Sequence, residues 1–278
     1  MIRGRWTSIT VRNPQKRAEV SDALFAIGAE GVQELGVDLV THLRDADRDA
    51  VTTAVRHADA SASLEFAETP DVDWSQAWRS RLSAHRVGNL VVTPPWLAHE
   101  DDDAAQAAQI VIEPEMAFGT GDHETTRGVL RLMQRVVRAG DVVADLGAGS
   151  AVLAIAAAKL GAARCVAVEM DPDAIANAES NVRRNRVDDR VTVIEGDAIA
   201  LLPLIAPVRV VLANIVSPVL LQLLPVIRAA LAPDGAAILS GILVEERDMM
   251  RTALRAAGWR VLDVDEEGPW WSATIAAA

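Results

Sequence analysis

From residue 109 onward, the chain alternates continuous apolar segments of strand length with amphipathic segments of helical length. Segments such as "DVVADLG", "RCVAVEM" and "VRVVLAN" have their polar side chains mainly near the ends. A strand that is apolar along most of its length is buried on both faces, which is typical of a parallel sheet covered by helices on both sides. The sequence therefore predicts an α/β domain over residues 99–278, with "PWWSATIA" as a last strand at the end of the sheet.

The N-terminal part of the chain has a different pattern. Over residues 1–66, strand-like and helix-like segments follow one another in the order βαββαβ, which predicts a small α+β domain of the ferredoxin-like kind. Residues 67–98 contain several prolines, and Trp74 and Trp78 lie one helical turn apart within them. This spacing favours a packed connector between the two domains over a flexible linker.

The charge of the chain limits its partners. Its 27 Lys and Arg residues are outnumbered by 39 Asp and Glu residues, and the formal net charge is −12. Nucleic-acid binding depends on basic side chains that neutralise phosphates, so we expect no direct nucleic-acid partner. A basic protein would instead be attracted to this chain.

Two further features indicate the compartment. Cys165 is the only cysteine, so no intramolecular disulfide can form, and a reducing, cytoplasmic location is expected. The N-terminus lacks an apolar segment of signal-peptide length.

Residues 210–227 carry no charge, but Asn and Pro residues interrupt them. A buried strand followed by a core-facing helix explains this run better than a membrane span, and no membrane partner is expected.

The loop "AFGTGDHETTR", residues 117–127, contains a His-Glu pair. A zinc helix of the HExxH kind needs a second His four residues after His123, where this chain has Arg127, so no metal site is predicted. His123 is then either a base or a surface residue near a helix start. The hydroxyls of Thr125 and Thr126 either cap that helix or contact a ligand.

A second glycine-rich loop follows in "VVADLGAGSAVLAIAAAKLGA". An apolar strand leads into Gly147 and Gly149 and then into a helix, so the backbone can turn tightly and approach a ligand at the helix N-terminus. Glu169 ends the next strand, where a carboxylate can accept hydrogen bonds from both hydroxyls of an adenosine ribose. Strand, turn, helix, strand and acid together predict a nucleoside-binding site.

The acid Asp145 distinguishes between nucleoside cofactors. Its carboxylate at the strand end favours a cationic group such as a sulfonium and its ammonium, so S-adenosylmethionine is favoured over NAD. Asp197 follows the third strand and either meets an adenine amine or serves as a turn or cap residue. Asn214 ends the fourth strand, at the edge where open α/β sheets bind ligands.

These segments together resemble the PrmA family, the methyltransferases of the large-subunit ribosomal protein number eleven. The likeness rests on five segments and covers the C-terminal region almost completely: "AFGTGDHETTR", "DLGAGSAVLAIAAAKLGA", "VEMDPDAIANAESNVRRNRV", "ANIVSPVLLQLLPVI" and "LSGIL". The resemblance implies a Rossmann-like, class I methyltransferase domain with a mostly parallel seven-stranded sheet. It also implies S-adenosylmethionine as the cofactor.

The resemblance also implies site residues. Cofactor contacts are expected at Thr126, Gly147, Glu169 and Asn214, and the first glycine loop is expected to cover the methionine end through Phe118, Gly119 and Gly121. Three features depart from the family pattern. Ala151 replaces the third Gly and could crowd the methionine moiety, Glu169 stands where Asp is common, and the N-terminal part is compact.

The implied reaction is transfer of a methyl group to lysine ε-amino groups, and to an N-terminal amine, of that ribosomal protein. Asn214 is the candidate catalytic residue, and the small domain would bind the substrate protein. The alternatives are a methyltransferase acting on another protein lysine or a small amine, and a non-catalytic module that binds the cofactor. We expect a monomer.

Overall fold

The computed structural model describes residues 6–29, 31–68, 83–98, 107–114 and 121–278. Contacts between Cα atoms divide the chain into two compact units, residues 1–81 and 82–278. Of the predicted connector, residues 67–98, the part from 85 to 93 contains two strands that pair within the second unit, and the connector itself stays a prediction. Trp74 and Trp78 lie outside the described residues.

The first unit is a four-stranded antiparallel sheet with two helices. In chain order its elements are β1 (Trp6–Arg12), α1 (Arg17–Ala26), β2 (Val32–Leu35), β3 (Asp38–Arg44), α2 (Arg48–Ala58) and β4 (Ser63–Glu68). The strands lie in the order β2-β3-β1-β4. Ile9 and Leu39 from the sheet share one core with Leu24 and Val55 from the helices. The alternation of buried and partly exposed residues along β1 therefore places both helices on one face of this sheet.

Acidic side chains hold the helix ends of this unit. Asp47 caps α2 by accepting hydrogen bonds from the amides of Asp49 and Ala50. Asp59 accepts hydrogen bonds from Ser61 and from the amides of Gln15 and Lys16, ahead of α1. The hydrogen bonds from Ser61 and Lys16 lower the pKa of Asp59 to about 2. This carboxylate therefore ties the start of α1 to the turn that precedes β4.

The second unit contains a small sheet and a large one. The small sheet is formed by β5 (His85–Val87), β6 (Leu90–Thr93) and β7 (Ala108–Val111), with β6 in the middle. The remaining elements are α3 (Glu124–Val136), β8 (Val142–Leu146), α4 (Val152–Lys159), β9 (Arg164–Glu169), α5 (Pro172–Arg184), β10 (Val191–Glu195), α6 (Ala198–Ile205), β11 (Val208–Asn214), α7 (Ser217–Ala230), β12 (Leu231–Leu243), α8 (Arg247–Ala256), β13 (Trp259–Glu267) and β14 (Trp270–Ala277).

Seven strands form the large sheet, in the order β10-β9-β8-β11-β12-β14-β13. Neighbours from β10 to β12 pair in parallel, whereas β14 pairs antiparallel with both β12 and β13. The sheet is therefore mixed. Because β8, β9 and β11 are parallel neighbours, their carboxyl ends meet at one edge of the sheet, on either side of the point where the strand order reverses.

Helices cover both faces of the large sheet. Along β11, Val210 and Leu212 belong to a core shared with α3, α4 and α5, and the alternate residues Val211 and Ala213 belong to a second core with α6, α7 and α8. Cys165 is buried in β9, as its apolar surroundings predict. Residues 210–227 consist of most of β11 followed by most of α7. Among the described residues, no helix combines the length and apolar character needed to cross a membrane.

Helix α3 lies unusually close to the sheet at Gly128. An added Cβ there would lie 2.6 Å from the Oγ of Ser272 and 3.2 Å from the Oδ2 of Asp265. The Ser272 hydroxyl is in turn 2.7 Å from that of Ser240, which donates to the carbonyl of Thr125 at 3.1 Å. Gly128 thus lets the first turn of α3 reach two buried serines on β12 and β14.

We expect Gly128→Ala to destabilise the protein by about 1–3 kcal/mol, because the added methyl group overpacks against Ser272. This loss would outweigh the better helix propensity of Ala, which is worth roughly 1 kcal/mol. Urea unfolding followed by tryptophan fluorescence measures the change. In a Ser272→Ala background the obstructing oxygen is gone, and the loss caused by Gly128→Ala should shrink. An equal loss in both backgrounds would contradict this packing account.

Candidate functional site

A cavity of about 390 Å³ opens at the carboxyl edge of the large sheet. It lies between the loops that follow β8, β9 and β11 and the first turn of α3. Of the predicted site residues, Thr126, Gly147, Gly149, Glu169 and Asn214 line it together. The structure therefore brings residues from four separate segments of the sequence to one site, at the switch point where open α/β sheets bind ligands.

The loop after β8 bends through three left-handed residues. Gly147, Gly149 and Ala151 have φ values of +66°, +52° and +63°. Such values suit glycine and cost an alanine about 1–2 kcal/mol, so Ala151 carries backbone strain. The side chain of Ala151 is fully buried in the core with α4 and does not line the cavity. Its methyl group therefore packs into the core, and its effect on a bound ligand stays a prediction.

Asp145 lies beneath this loop and not in the cavity wall. Its side chain is almost fully buried, and its Oδ2 accepts a hydrogen bond of 3.0 Å from the amide of Ala154 in the first turn of α4. Its Oδ1 has no hydrogen-bond partner among the described residues. Burial raises the pKa of Asp145 to about 7, and the charge of Glu169 adds to the rise, against the hydrogen bond from Ala154. A nearby cation would favour the ionised form.

Glu169 lines the cavity and also supports its floor. Its Oε2 accepts a hydrogen bond of 2.7 Å from the amide of Gly149, and its Oε1 accepts from the amides of Met170 and Asp171 at 2.8 Å and 2.9 Å. A carboxylate has about four acceptor positions, so at least one stays available for a ligand hydroxyl. The longer side chain of Glu thus lets one residue fix the glycine loop and face the cavity.

On the opposite wall, Asn214 is held by hydroxyls from α3. Its Nδ2 donates to the Oγ1 of Thr125 at 3.1 Å and to that of Thr126 at 3.4 Å. This pairing directs the amide nitrogen towards α3, and the side-chain carbonyl oxygen remains as an acceptor. Both threonines are buried. The Thr125 hydroxyl contacts both Asn214 on the neighbouring strand and His123 at the start of its own helix.

His123 caps α3 and lines the cavity, although the sequence left it open as a base or a surface residue. Its Nδ1 accepts from the amide of Thr125 and lies 2.8 Å from the Thr125 hydroxyl. The imidazole meets the ring of Trp270 edge-on, with 5.2 Å between the ring centroids. No group of three or more His, Cys, Asp or Glu residues that could hold a metal ion occurs in the described part of the chain.

Two other predicted residues, Asp197 and Gly121, lie outside the cavity wall. Asp197 is the N-cap of α6, accepts from the amide of Ile199 at 2.9 Å and does not line the cavity. Gly121 also lies outside the lining, and a side chain there would collide with Val92 of β6. Phe118 and Gly119 lie outside the described residues. The predicted glycine-loop lid and the adenine contact of Asp197 thus stay predictions.

Seven residues of the wall were not among the candidate site residues: Ala148, Val152, Leu153, Ile215, Val216, Gly241 and Trp270. Gly241 lies at φ +81°, and a Cβ there would come within 2.6 Å of the carbonyl oxygen of Ile215. Trp270 begins β14, which lies two strands away from β11. Their positions follow from the order of the strands, which residue patterns alone do not reveal. The "LSGIL" segment was the available signal for Gly241.

The raised pKa of Asp145 has a consequence for stability. The unfolded chain releases this proton near pH 4, whereas the folded protein holds it to about pH 7, so stability falls as pH rises between these values. Asn cannot ionise, so Asp145→Asn removes this pH dependence of stability. We expect the free energy of unfolding of Asp145→Asn, minus that of the wild type, to grow by about 2 kcal/mol between about pH 5.5 and about pH 7.5.

Urea unfolding at both pH values measures this difference, with Asp188→Asn as the same substitution at an exposed position. A constant difference for Asp145→Asn would show that this carboxyl ionises at its ordinary pH.

Comparison with known proteins agrees with the geometry. The family model described as ribosomal protein L11 methyltransferase (PrmA) matches residues 8–277. A ribosomal protein L11 methyltransferase from Thermus thermophilus is 43% identical over 203 residues, which span 73% of this chain and 77% of the relative. One from Pelotomaculum thermopropionicum is 44% identical over 201 residues, which span 71% of this chain and 63% of the relative.

A solved structure shares the fold as well. The crystal structure of ribosomal protein L11 methylase from Lactobacillus delbrueckii subsp. bulgaricus superposes with a TM-score of 0.63 and 28% identity. The match covers 70% of this chain and 99% of that chain. Since the family model extends over nearly the whole sequence, the chain belongs to the ribosomal protein L11 methyltransferase (PrmA) family.

Proposed function

We propose that this protein transfers methyl groups from S-adenosylmethionine to amines of ribosomal protein L11. The acceptors are lysine ε-amino groups, together with an N-terminal α-amino group. The observation that carries the proposal is the shared cavity, in which Gly147, Gly149 and Glu169 face Asn214. We infer the substrate from membership of the family. The cavity is a place where a nucleoside and an amine can lie next to each other.

The residues of the cavity fit the cofactor. The volume of about 390 Å³ is within the range of small-molecule sites, roughly 300–1,000 Å³. A Cβ at Gly147 would lie 3.0 Å from the side chain of Ile215, and φ is +66°, so glycine suits this part of the cavity wall. Glu169 is placed to accept from ribose hydroxyls, and Asp145 is a buried acid beneath the loop. When bound, S-adenosylmethionine would supply an electrophilic methyl group on a positively charged sulfur.

We assign to Asn214 the role of binding the acceptor amine. Because Thr125 and Thr126 accept from its amide nitrogen, its carbonyl oxygen can accept an N–H from a neutral amine. An amide oxygen cannot take the proton away, so its role is to orient the amine. Fixing the orientation of a reacting group can supply a large part of a rate enhancement.

The acceptor must arrive without its proton. A lysine with an ordinary pKa of roughly 10.4 is neutral in only about one molecule in two thousand near pH 7. A cavity lined in part by Val152, Leu153 and Ile215 removes water from the amine and so favours the neutral form. The chain therefore contributes desolvation and alignment of the acceptor amine, and the proton of the lysine ammonium passes to solvent.

We also infer how the two units divide the work. The sheet order β2-β3-β1-β4 with both helices on one face supports a ferredoxin-like fold for the first unit, and its role is to bind the substrate protein. The order of the large sheet, with β14 as its antiparallel strand, supports a class I methyltransferase domain. The net charge of −12 would attract a basic ribosomal protein. A ribosomal substrate also implies a cytoplasmic location.

We expect Glu169→Gln to weaken the binding of S-adenosylmethionine by about ten-fold or more, because hydrogen bonds to a charged acceptor are worth about 1.5–3 kcal/mol. Isothermal titration calorimetry with S-adenosylmethionine measures the dissociation constant. The matched control is Glu195→Gln, at the end of the neighbouring strand β10, which is exposed and outside the cavity wall. Equal affinity in the two variants would remove Glu169 from the cofactor site.

Intact-mass spectrometry of unmethylated ribosomal protein L11, incubated with the protein and S-adenosylmethionine, tests the reaction itself. We expect mass increases of one methylene each with the wild type, and with Asn214→Ala a rate lower by about 10²-fold, since misplacement of a reactant can cost that much. The exposed Asn89→Ala is the matched control. Full turnover by Asn214→Ala would refute the orienting role.

A wild type that binds the cofactor and leaves L11 unmodified would refute the substrate. Titration of a panel of lysine peptides and small amines would then separate another methyltransferase from a non-catalytic module.

A further inference from the structure

A second cavity, of about 340 Å³, lies at the opposite edge of the large sheet. Its walls come from the end of α3 and the residues after it, the starts of β11 and β13, the first half of β12 and the end of β14. The ligand site described above lies at the carboxyl ends of the parallel strands, whereas this cavity lies at their amino ends. The two cavities have no lining residue in common.

Four arginines line this cavity in a protein of net charge −12: Arg135, Arg138, Arg209 and Arg260. Two carboxylates partly neutralise them. Asp234 pairs with Arg209 at 3.0 Å and with Arg138 at 3.4 Å, and Asp263 pairs with Arg135 at 2.6 Å. The side chain of Arg260 has no ion pair or hydrogen bond to the described residues. Two positive charges therefore remain without a counter-charge, and an arginine cannot lose its proton to relieve them.

Two buried polar atoms in the same wall have no partner. Thr274 is 2% exposed, and its Oγ1 has no hydrogen-bond partner among the described residues. The side chain of Arg209 is 12% exposed, and its Nη1 is likewise buried without a partner. A buried donor without an acceptor destabilises a folded protein, so such atoms are uncommon and need an explanation. Both of these atoms are donors, and both residues line the cavity.

We propose that this cavity binds the phosphate group of a small molecule through Arg209, Arg260 and Thr274. A guanidinium matches the oxygens of a phosphate in pairs, and a threonine hydroxyl supplies one further donor. A phosphate group carries about −1.5 to −2 charges near pH 7, which equals the charge left uncompensated in the wall, whereas a carboxylate carries only half of it.

The remaining wall limits the size of the ligand. The volume of about 340 Å³ is several times larger than the roughly 30 Å³ that a water molecule occupies in the liquid, and Val136, Pro233 and Leu262 form an apolar side. Phosphate alone would leave this side unfilled, and an organic phosphate of a few carbons would cover it. The site thus has the features of a pocket for a small phosphorylated metabolite, with free phosphate as the other source of the same group.

Isothermal titration calorimetry at constant ionic strength tests this site with two probes, inorganic phosphate and glycerol phosphate. The informative variants are Arg260→Gln and Thr274→Val. Arg260 is exposed and unpaired, and the Thr274 hydroxyl bonds to no described residue, so neither change should unfold the protein. The matched control is Arg251→Gln, which changes the charge equally on the exposed face of α8, outside the cavity.

We expect each probe to bind Arg251→Gln with the same affinity as the wild type. Arg260→Gln should weaken binding by about ten-fold or more, and Thr274→Val by several-fold, because each removes a donor to a charged group. Tighter binding of glycerol phosphate than of phosphate would identify an organic phosphate as the ligand. Equal affinities would identify free phosphate.

Two outcomes would overturn the proposal. One is a lack of specific binding: neither probe gives binding heat at millimolar concentration, or all four proteins bind the probes with the same weak affinity. Equal weak binding would indicate a general ion effect. The other is binding of a short RNA oligonucleotide that depends on Arg260 when neither small probe binds. That result would assign the arginines to a nucleic-acid surface. Thermal unfolding of each variant without ligand verifies that the proteins compared are folded.

Discussion

The contact between the start of α3 and the large sheet determines the candidate site. Gly128 lets the helix come close enough for the Thr125 carbonyl to accept from Ser240, and for Thr125 and Thr126 to accept from Asn214. Without this approach the threonines could not orient the amide. The last strands hold the same helix from another side, because Arg127 and Arg131 pair with Glu267 at 2.6 Å and 2.5 Å.

These ion pairs continue along the helix, and Arg131 also pairs with Asp265 and Arg135 with Asp263. Most of these pairs are partly buried, and ion pairs near the surface contribute little individually, about 0–1 kcal/mol. Their regular spacing along α3 and β13 nevertheless specifies one register between helix and strand. That register brings Trp270, at the turn from β13 to β14, against His123. The antiparallel strand β14 therefore contributes to one wall of the cavity through Trp270. In the sequence it lies far after the glycine loops that form the rest of the site.

Much of this arrangement can be predicted from the sequence, and the rest depends on tertiary contacts. The apolar strands, the glycine turn at Gly147 and the acid at Glu169 are local signals, and each lies where its pattern predicts. Asp197 could not be assigned, since an acid after a strand serves equally as a ligand contact or a helix cap. For Ala151, the pattern indicated a missing glycine but not whether the methyl group faced the ligand or the core. Gly241 meets the cavity because β12 pairs with β11, and Trp270 meets it because β14 inserts between β12 and β13.

The two cavities occupy opposite ends of shared rigid elements, which constrains any communication between them. Helix α3 has 13 residues and is therefore about 20 Å long, with Thr126 near one cavity and Arg135 at the other. Coupling between ligands requires an element with two arrangements that both ligands bias. The tight fit of Gly128 against Ser272 opposes sliding of the helix along the sheet. A phosphate group bound at Arg209 should therefore leave the affinity for S-adenosylmethionine unchanged, and by reciprocity the cofactor should leave phosphate affinity unchanged.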